Sequence, residues 1–327
     1  MLTTKFLVSV IVPVYNEEKN IINCLRAIKD QTYSSLEFIV VDNASNDRSK
    51  ELAKDYADKL ISEYKRGITF AKNTGLSLAR GELVATTDAD CIPDKDWLDE
   101  LVKCFSDPSV GAAGGLNIIP SDSSDFEKCI DFVLKSLGST FRSNYAFDSS
   151  EVIETFHNPG CNAMYRRGIL EELGGFNEQL LTTEDEELDF RIRKKGYKVI
   201  FTPFAKVYHR RRSSWKKFAK QIYRYSIGRM QFIRLCPDIN QWPRFMPSLV
   251  ILFSLYILVL AALNPVFLRI LISEIIIGIM ILFFLSWYLA VKSKMPCLFR
   301  YFALLFLVFW VWGIGFMRGI WYRSKVR

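Results

Sequence analysis

Apolar residues fall along this chain in two distinct patterns. In the first 90 residues short β-branched runs alternate with stretches of helical spacing. Residues 7–14 (LVSVIVPV) predict a strand, and Glu17 to Lys29 follows with apolar positions at Ile21, Ile22, Leu25 and Ile28. Residues 36–41 (LEFIVV) predict a second strand ending in Asp42-Asn43. A helix through Leu52, Ala53 and Tyr56 then leads to a short strand at Leu60-Ile61-Ser62. A further helix, Phe70 to Ala79, precedes the run Glu82 to Thr87. Near-continuous apolar strands separated by helices predict a parallel sheet covered on both faces. Ligands of such sheets sit beyond the carboxyl ends of the strands, which directs attention to Asn16, Glu17, Asp42, Asn43, Asp88 and Asp90. The first apolar run, Phe6 to Tyr15, is too short for a signal sequence and has no small-residue cleavage site.

From Asp94 the pattern loosens into helices and loops, with Gly114-Gly115, Gly160 and Gly174-Gly175 as breakers. Thr183 and Glu186 have the spacing of a capping box, opening a helix that ends at Gly196. The second pattern begins near residue 245. Residues 246–263, 266–291 and 298–317 are three hydrophobic segments near the length needed to cross a bilayer. Before them, Ser213 to Leu235 places Trp215, Phe218, Ile222, Tyr225, Met230 and Ile233 roughly on one face and Lys216, Lys217, Lys220 and Arg224 mostly elsewhere. That is the composition of a helix lying among lipid headgroups. Three units follow: a catalytic-type α/β domain at 1–212, basic amphipathic interface helices at 213–244, and a membrane domain at 245–327.

Charge sharpens this division. Residues 1–205 carry 24 basic and 33 acidic side chains, net −9. Residues 206–244 carry 11 basic ones with Asp238 as the lone acid, net +10; residues 245–327 carry 8 with Glu274 alone, net +7. An acidic globular part, a basic collar and an apolar tail argue for a membrane surface as partner rather than nucleic acid. The seven cysteines form no CxxC pair, and His157 and His209 are the only histidines. A Cys/His zinc site is therefore disfavoured, and the soluble part reads as belonging to a reducing compartment. No GxGxxG follows the first strand, which removes a dinucleotide-dependent dehydrogenase.

Four groups of residues carry candidate chemistry. Asp88-Ala89-Asp90 ends a strand; two carboxylates so spaced point the same way, and hard oxygens suit Mg²⁺ or Mn²⁺. Asp42 ends a neighbouring strand and can reach the same crevice to bind a base or ribose, or else forms an Asx turn with Asn43. Glu184-Asp185-Glu186-Glu187 fills the first turn of a helix, where acids complement the dipole; one of them facing the crevice would serve as general base. His209 is either a metal ligand beside Asp90 or part of a basic cluster with Arg210-Arg211-Arg212, whose guanidinium forks match diphosphate oxygens.

The order of these blocks resembles family 2 glycosyltransferases of the GT-A fold. The resemblance runs from residue 7 to about 230. It covers Val12-Pro13-Val14-Tyr15-Asn16-Glu17, Val41-Asp42-Asn43-Ala44-Ser45-Asn46-Asp47, Ala71-Lys72-Asn73 with Gly75, Ala79-Arg80-Gly81-Glu82 and Asp88-Ala89-Asp90. It continues with Gly174-Gly175-Phe176-Asn177-Glu178, Thr183-Glu184-Asp185 and Gln221-Ile222-Tyr223-Arg224-Tyr225, the last similar to the Gln-x-x-Arg-Trp motif with Tyr for Trp. The resemblance implies a Rossmann-like, mostly parallel sheet and inverting transfer from a nucleotide-diphosphate sugar. Pro13, Tyr15, Glu17, Asp42, Asn73 and Asp88 would then hold the donor, Gln221 and Arg224 its diphosphate or the acceptor. Asp90, with Asp88 and His209, would bind Mg²⁺ or Mn²⁺, and Asp185, with Glu184 beside it, would be the base.

The expected protein is a multi-pass hexosyltransferase of the cell membrane with its catalytic domain in the cytoplasm. It would add one sugar to a polyprenyl- or dolichyl-(pyro)phosphate-linked glycan; Tyr225 and only three spans argue against chain-extending synthesis. A polyprenyl- or dolichyl-phosphate sugar synthase is the alternative. A non-catalytic lipid-binding scaffold is a second, opposed by the presence of Asp42, Asp88, Asp90 and Asp185. Three full crossings would leave Arg318, Arg323, Lys325 and Arg327 outside, against the positive-inside tendency, unless one segment is re-entrant.

Overall fold

The computed structural model describes residues 6–140, 150–237 and 242–322, without the side chains of 139 and 140. Asp238, Arg323, Lys325 and Arg327 lie outside them. In chain order the elements are β1 (Val8–Val14), α1 (Ile21–Lys29), β2 (Leu36–Asp42), α2 (Ser49–Ala53), β3 (Lys59–Ser62), α3 (Ile68–Leu78) and β4 (Leu83–Thr86). Next come β5 (Cys91–Pro93), α4 (Trp97–Lys103), β6 (Val110–Ile118), α5 (Asp125–Thr140), β7 (Ile153–Glu154), β8 (Ala163–Arg166), α6 (Arg167–Glu172), α7 (Glu184–Lys194) and β9 (Lys198–His209). The chain closes with α8 (Trp215–Leu235), α9 (Met246–Ala261), α10 (Pro265–Ser293) and α11 (Leu298–Trp321).

The strands form one sheet in the order β3-β2-β1-β4-β8-β6-β9-β5, with β7 paired to β9. As the apolar runs predict, β3, β2, β1 and β4 are parallel, and all of them end on one edge. Val8, Val10, Val12 and Val14 pack with Ile21, Leu25, Trp97 and Leu101 on one face. Ile11, Ile39 and Val41 pack with Ala71, Leu76, Leu188 and Ile192 on the other. Beyond Asp94 the expectation of helices and loops misses β6, β8 and β9. There β8 runs antiparallel between β4 and β6, while β6 and β9 pair in parallel. The Gly-rich segment of β6 (VGAAGGLNI) lacks β-branched bulk and does not read as a strand from local preference. By contrast β9 (KVIFTPFAKVYH) is rich in strand-forming residues that the expectation of loops overlooks, and it shifts register between Gly115 and Leu116 of its partner.

The capping box is likewise replaced. Thr183 adopts left-handed backbone (φ 68°) without capping α7 through its side chain. Its hydroxyl instead donates to the carbonyls of Thr182 and Gly228, which ties the start of α7 to α8.

Three helical segments among the described residues are long and apolar enough to cross a membrane: Trp242–Ala261, Pro265–Ser293 and Leu298–Trp321. Helix α8 begins with a Ser214 cap and has the predicted stripe, but Phe218 and Ile222 are buried with Cys129 and Val133 of α5 and with Tyr301, Leu304 and Leu305 of α11. Its apolar side therefore rests on protein rather than lipid, a distinction the stripe alone cannot make.

Glycine permits this packing. A Cβ on Gly315 would come within 2.9 Å of the Tyr223 carbonyl oxygen, which cannot move without breaking α8. Replacing Gly315 by Val should cost about 1–3 kcal/mol through overpacking. A lowered melting temperature of the detergent-solubilised protein is the expected result, with Ile314→Val, at an exposed position, close to wild type.

Candidate active site

The carboxyl edge of the parallel strands carries the acids. Asp42 ends β2 and is buried, and its Oδ1 has no hydrogen-bond partner among the described residues. An orphaned buried acceptor is costly, so this oxygen suits a donor supplied by a ligand. Asn43 beside it is satisfied internally: it donates to the Lys65 carbonyl (2.7 Å) and accepts from the Gly67 amide (2.8 Å). Pro13 is buried in β1, and Tyr15 just beyond is 44% exposed with the Arg66 guanidinium 5.3 Å above its ring.

Asp88 and Asp90 follow β4, and β5 pairs antiparallel with the end of β9, which puts Cys91 opposite His209. His209 Nε2 lies 3.6 Å from Asp90 Oδ2. Neighbouring ligands about 2.1 Å from one octahedral ion stand about 3.0 Å apart, so for both groups to bind one Mg²⁺ or Mn²⁺ this ion pair would have to close by about 0.6 Å. The imidazolium, disfavoured by burial but with a pKa that Asp90 helps raise to about 10, would also have to release its proton. On the other side of the ring, Nδ1 is 3.9 Å from Cys161 Sγ, which also accepts from Asn117 Nδ2 at 3.3 Å. That contact aims Nε2 at Asp90. Burial raises the Asp90 pKa, but His209 and Arg212 outweigh it and bring it to about 2. For Asp88 burial wins, helped by Cys161 and Asp90, and its pKa rises to about 7. A cation at this edge would offset that cost.

The three arginines after His209 do not form one patch. Arg210 pairs with Asp122, Arg211 with buried Asp131 of α5 (2.7 Å), and Arg212 with Asp90 (3.5 Å).

Across the crevice stands the first turn of α7. Asp185 Oδ2 accepts from the Gly160 amide (2.7 Å) and Oδ1 from the Glu186 amide (2.8 Å), so backbone groups fix the carboxylate. Glu184, offered by the sequence as a companion base, is buried and bound to Lys72 Nζ at 2.8 Å. Burial disfavours the Lys72 charge, but Glu184, Asp88 and Asp185 raise its pKa overall. Glu184 and Lys72 both line the crevice, but Asn73 does not. Its amide bonds the backbone of Phe176 at 2.8 and 2.9 Å and pins the turn at Gly175.

Tyr15, Glu17, Asp88, Asp185, His209, Gln221 and Arg224 share one cavity of about 880 Å³, while Asp90 borders a separate one of about 370 Å³. Gln221 Nε2 donates to the Tyr225 hydroxyl at 3.2 Å, a contact internal to α8.

Sequence reasoning missed three contributors: Lys72, Cys161 and His157. A lone lysine on a helix reads as surface, and a lone histidine carries no pattern. His157 is buried between Asp189 (Nδ1 to Oδ2, 3.1 Å) and Asp185 (Nε2 to Oδ2, 4.0 Å). Burial lowers its pKa, but Asp185, Asp189 and Glu186 raise it to about 9.

The sheet order, the acids at the parallel edge and the crevice against α7 make up the architecture of GT-A glycosyltransferases. The family model "Glycosyl transferase family 2" matches residues 9–174, and the chain belongs to that family. Among solved structures it is similar to mannosyltransferase PcManGT from Pyrobaculum calidifontis, held in complex with GDP-Man and Mn²⁺. The TM-score is 0.64 and the identity 26%, over 98% of this chain and 88% of that one. Among curated proteins it is 30% identical to glycosyltransferase AglE of Haloferax volcanii over 62% of this chain and 66% of that one. It is 29% identical, over 69% of this chain and 74% of that one, to a dolichyl N-acetyl-α-D-glucosaminyl phosphate 3-β-D-2,3-diacetamido-2,3-dideoxy-β-D-glucuronosyltransferase of Methanococcus voltae. The chain spans 66% of AglE and 54% of the probable glycosyltransferase YdaM of Bacillus subtilis.

The His157 environment predicts a stability effect with a defined sign. A histidine whose folded pKa is about 9 against about 6.5 unfolded stabilises fully below pH 6.5, and that contribution is lost as pH rises through 9. Urea midpoints should fall from pH 6.5 to 9.5 more steeply in the wild type than in His157→Gln. Equal slopes would contradict the assignment.

Proposed function

We propose that this chain is a membrane-anchored, inverting glycosyltransferase that transfers one sugar from a nucleoside-diphosphate sugar to a hydroxyl of a lipid-linked glycan at the cytoplasmic face. The observation that carries the reading is the continuity of the large cavity. Its lining joins Tyr15, Glu17, Asp88 and Asp185 with Arg229 and Arg244 and with apolar side chains of α10 and α11 such as Leu285, Leu305, Phe309 and Trp312. A polar donor at one end and an apolar carrier at the other would meet at Asp185.

On this reading Asp42 accepts from the base or ribose of the donor and Tyr15 with Arg66 flanks the base. Asp90 and His209, with Asp88, hold the cation, which supplies Lewis-acid stabilisation of the departing diphosphate. Arg212 adds a guanidinium at the same oxygens. Asp185 takes the proton from the incoming hydroxyl, its lone pairs oriented by the Gly160 and Glu186 amides. Lys72 pairs with Glu184, so of these two neighbouring carboxylates Asp185 is the one left to act as base. Arg229 and Arg244 both pair with Glu186, and two guanidiniums on one carboxylate leave a net positive charge for a carrier phosphate. The GDP-Man and Mn²⁺ bound by the Pyrobaculum mannosyltransferase and the dolichyl-linked acceptor in the name of the Methanococcus relative support this assignment. Residues 1–212 would form the catalytic unit, 213–244 the interface and 245–327 the anchor, with Gln221, Arg224 and Tyr225 as a variant Gln-x-x-Arg-Trp motif roofing the acceptor.

The same charge excess also fits the second reading, a synthase whose acceptor is the lipid phosphate itself. A phosphate at neutral pH is already ionised and needs no base. With a hydroxyl acceptor, Asp185→Asn should lower kcat by roughly 10²–10⁴-fold while donor KM stays within about twofold. Purified protein assayed with Mn²⁺, nucleotide sugars and polyprenyl- or dolichyl-linked glycans reads this directly. A mild loss, with product formed on the bare lipid phosphate, would select the synthase instead.

A further inference from the structure

The last apolar helix is long enough to cross a bilayer, yet its packing partner cannot. Helix α8 carries Lys216, Lys217, Lys220, Arg224, Arg229 and Arg234 and no acid. A cation near the bilayer centre costs about 2.5–3.5 kcal/mol on insertion scales, so a helix with six of them does not span. Its place is the water–lipid boundary, under the catalytic crevice that Gln221 and Arg224 help to line.

The C-terminal half of helix α11 lies alongside α8 in parallel. Ahead of that stretch, Tyr301, Leu304 and Leu305 of α11 join Phe218 and Ile222 of α8 in one cluster with Cys129 and Val133 of α5. Further on, Gly315 meets Tyr223 and Ser226, and Gly319 meets Ile227 and Met230. At the end, Arg234 Nη1 donates to the Ile320 carbonyl at 2.8 Å. Gly315 and Gly319 have the small-xxx-small spacing that lets two backbones approach closely. Two helices in such register share one inclination to the membrane.

The faces of α11 agree. One side is buried on the protein through Tyr301, Leu304 and Phe316; the other exposes Phe299, Phe306, Trp310 and Ile314, spaced for a single helical face. By contrast α9 and α10 are exposed and apolar nearly all round. They form a hairpin turned at Ala262–Asn264, with Ser254 Oγ bonding Glu274 Oε1 at 2.7 Å between them. With the short 3-10 turn Trp242–Phe245 that precedes it, α9 makes an apolar span of 20 residues, and Pro265–Ser293 has 29, against the roughly 17–25 that a crossing takes.

We propose that only α9 and α10 cross the bilayer, and that α11 lies in the membrane interface beneath α8 with its Phe299–Phe306–Trp310–Ile314 face in the acyl chains of the leaflet on the catalytic side. This arrangement rests on the membrane anchoring proposed above. It layers the molecule as catalytic unit, α8, α11 and lipid. It also removes the conflict in the sequence: with two crossings, Arg318 and the basic residues that follow it stay on the same side as the collar, in accord with the positive-inside tendency.

Protease-cleavable tags on the full-length protein test it without any core substitution: one before Met1, one after Arg327 and one inserted beside Asn264, in sealed membrane vesicles of known orientation. Cleavage of the two terminal tags on one face, with the Asn264 tag cleaved on the other, is the expected result. Terminal tags on opposite faces would establish a third crossing and overturn the proposal. All three tags on one face would overturn the crossing hairpin. None of these outcomes depends on transfer activity, so the topology and the proposed reaction can fail separately.

Discussion

Helix α8 is held at backbone distance from two sides, and the placement of the crevice depends on that grip. Above, a Cβ on Gly228 would come within 2.9 Å of the Thr182 carbonyl oxygen; below, Gly315 of α11 makes the corresponding approach to Tyr223. Thr182 and Thr183 hydroxyls bond the α8 carbonyls of Arg224 and Gly228. The turn so fixed begins α7, and its second residue is Asp185. The position of the proposed base relative to α8 and α11 is therefore set by close backbone approaches, which tolerate little displacement.

A second constraint is electrostatic. Carboxylates removed from water must be offset by neighbouring cations, and around this crevice nearly every acid has one. Glu184 has Lys72, Asp189 has His157, Glu186 has Arg229 and Arg244, and Asp131 has Arg211. Burial raises the Glu186 pKa, yet Arg229 and His157 bring it to about 2. At the Asp88–Asp90 edge the protein's own cations satisfy Asp90 while Asp88 is left costly to ionise. A divalent ion bound beside Asp88 would favour its ionised form.

Much of this was legible in the residues, for reasons that also explain what was not. The parallel strands were legible because strands buried on both faces must be continuously apolar, and their ends were marked by the acids that follow them. Strand β6 was hidden because its glycines and alanines carry no strand preference, β8 because it is only four residues long, and β9 because its pairing is long-range although its residues favour a strand. Asp88, Asp185 and His209 line one cavity and Asp90 stands beside His209 at the edge of another, whereas Asn73 is taken up by a backbone turn and Glu184, on the large cavity, by Lys72. A motif names positions; only the fold shows which side chains are already occupied. The stripe on α8 was visible too, but a stripe records that something apolar covers it and not whether that cover is lipid or, as here, α5 and α11.

The central claim is that Asp90 and His209 clasp a divalent cation opposite Asp185, with the nucleotide reaching Asp42. The most direct measurement is the anomalous scattering of Mn²⁺ in crystals of the full chain grown in lipid with a nucleoside diphosphate. The account requires one strong peak between Asp90 Oδ2 and His209 Nε2, with the nucleoside hydrogen-bonded to the Asp42 carboxylate. A peak bound away from both residues, or a nucleoside seated far from Asp42, would contradict it.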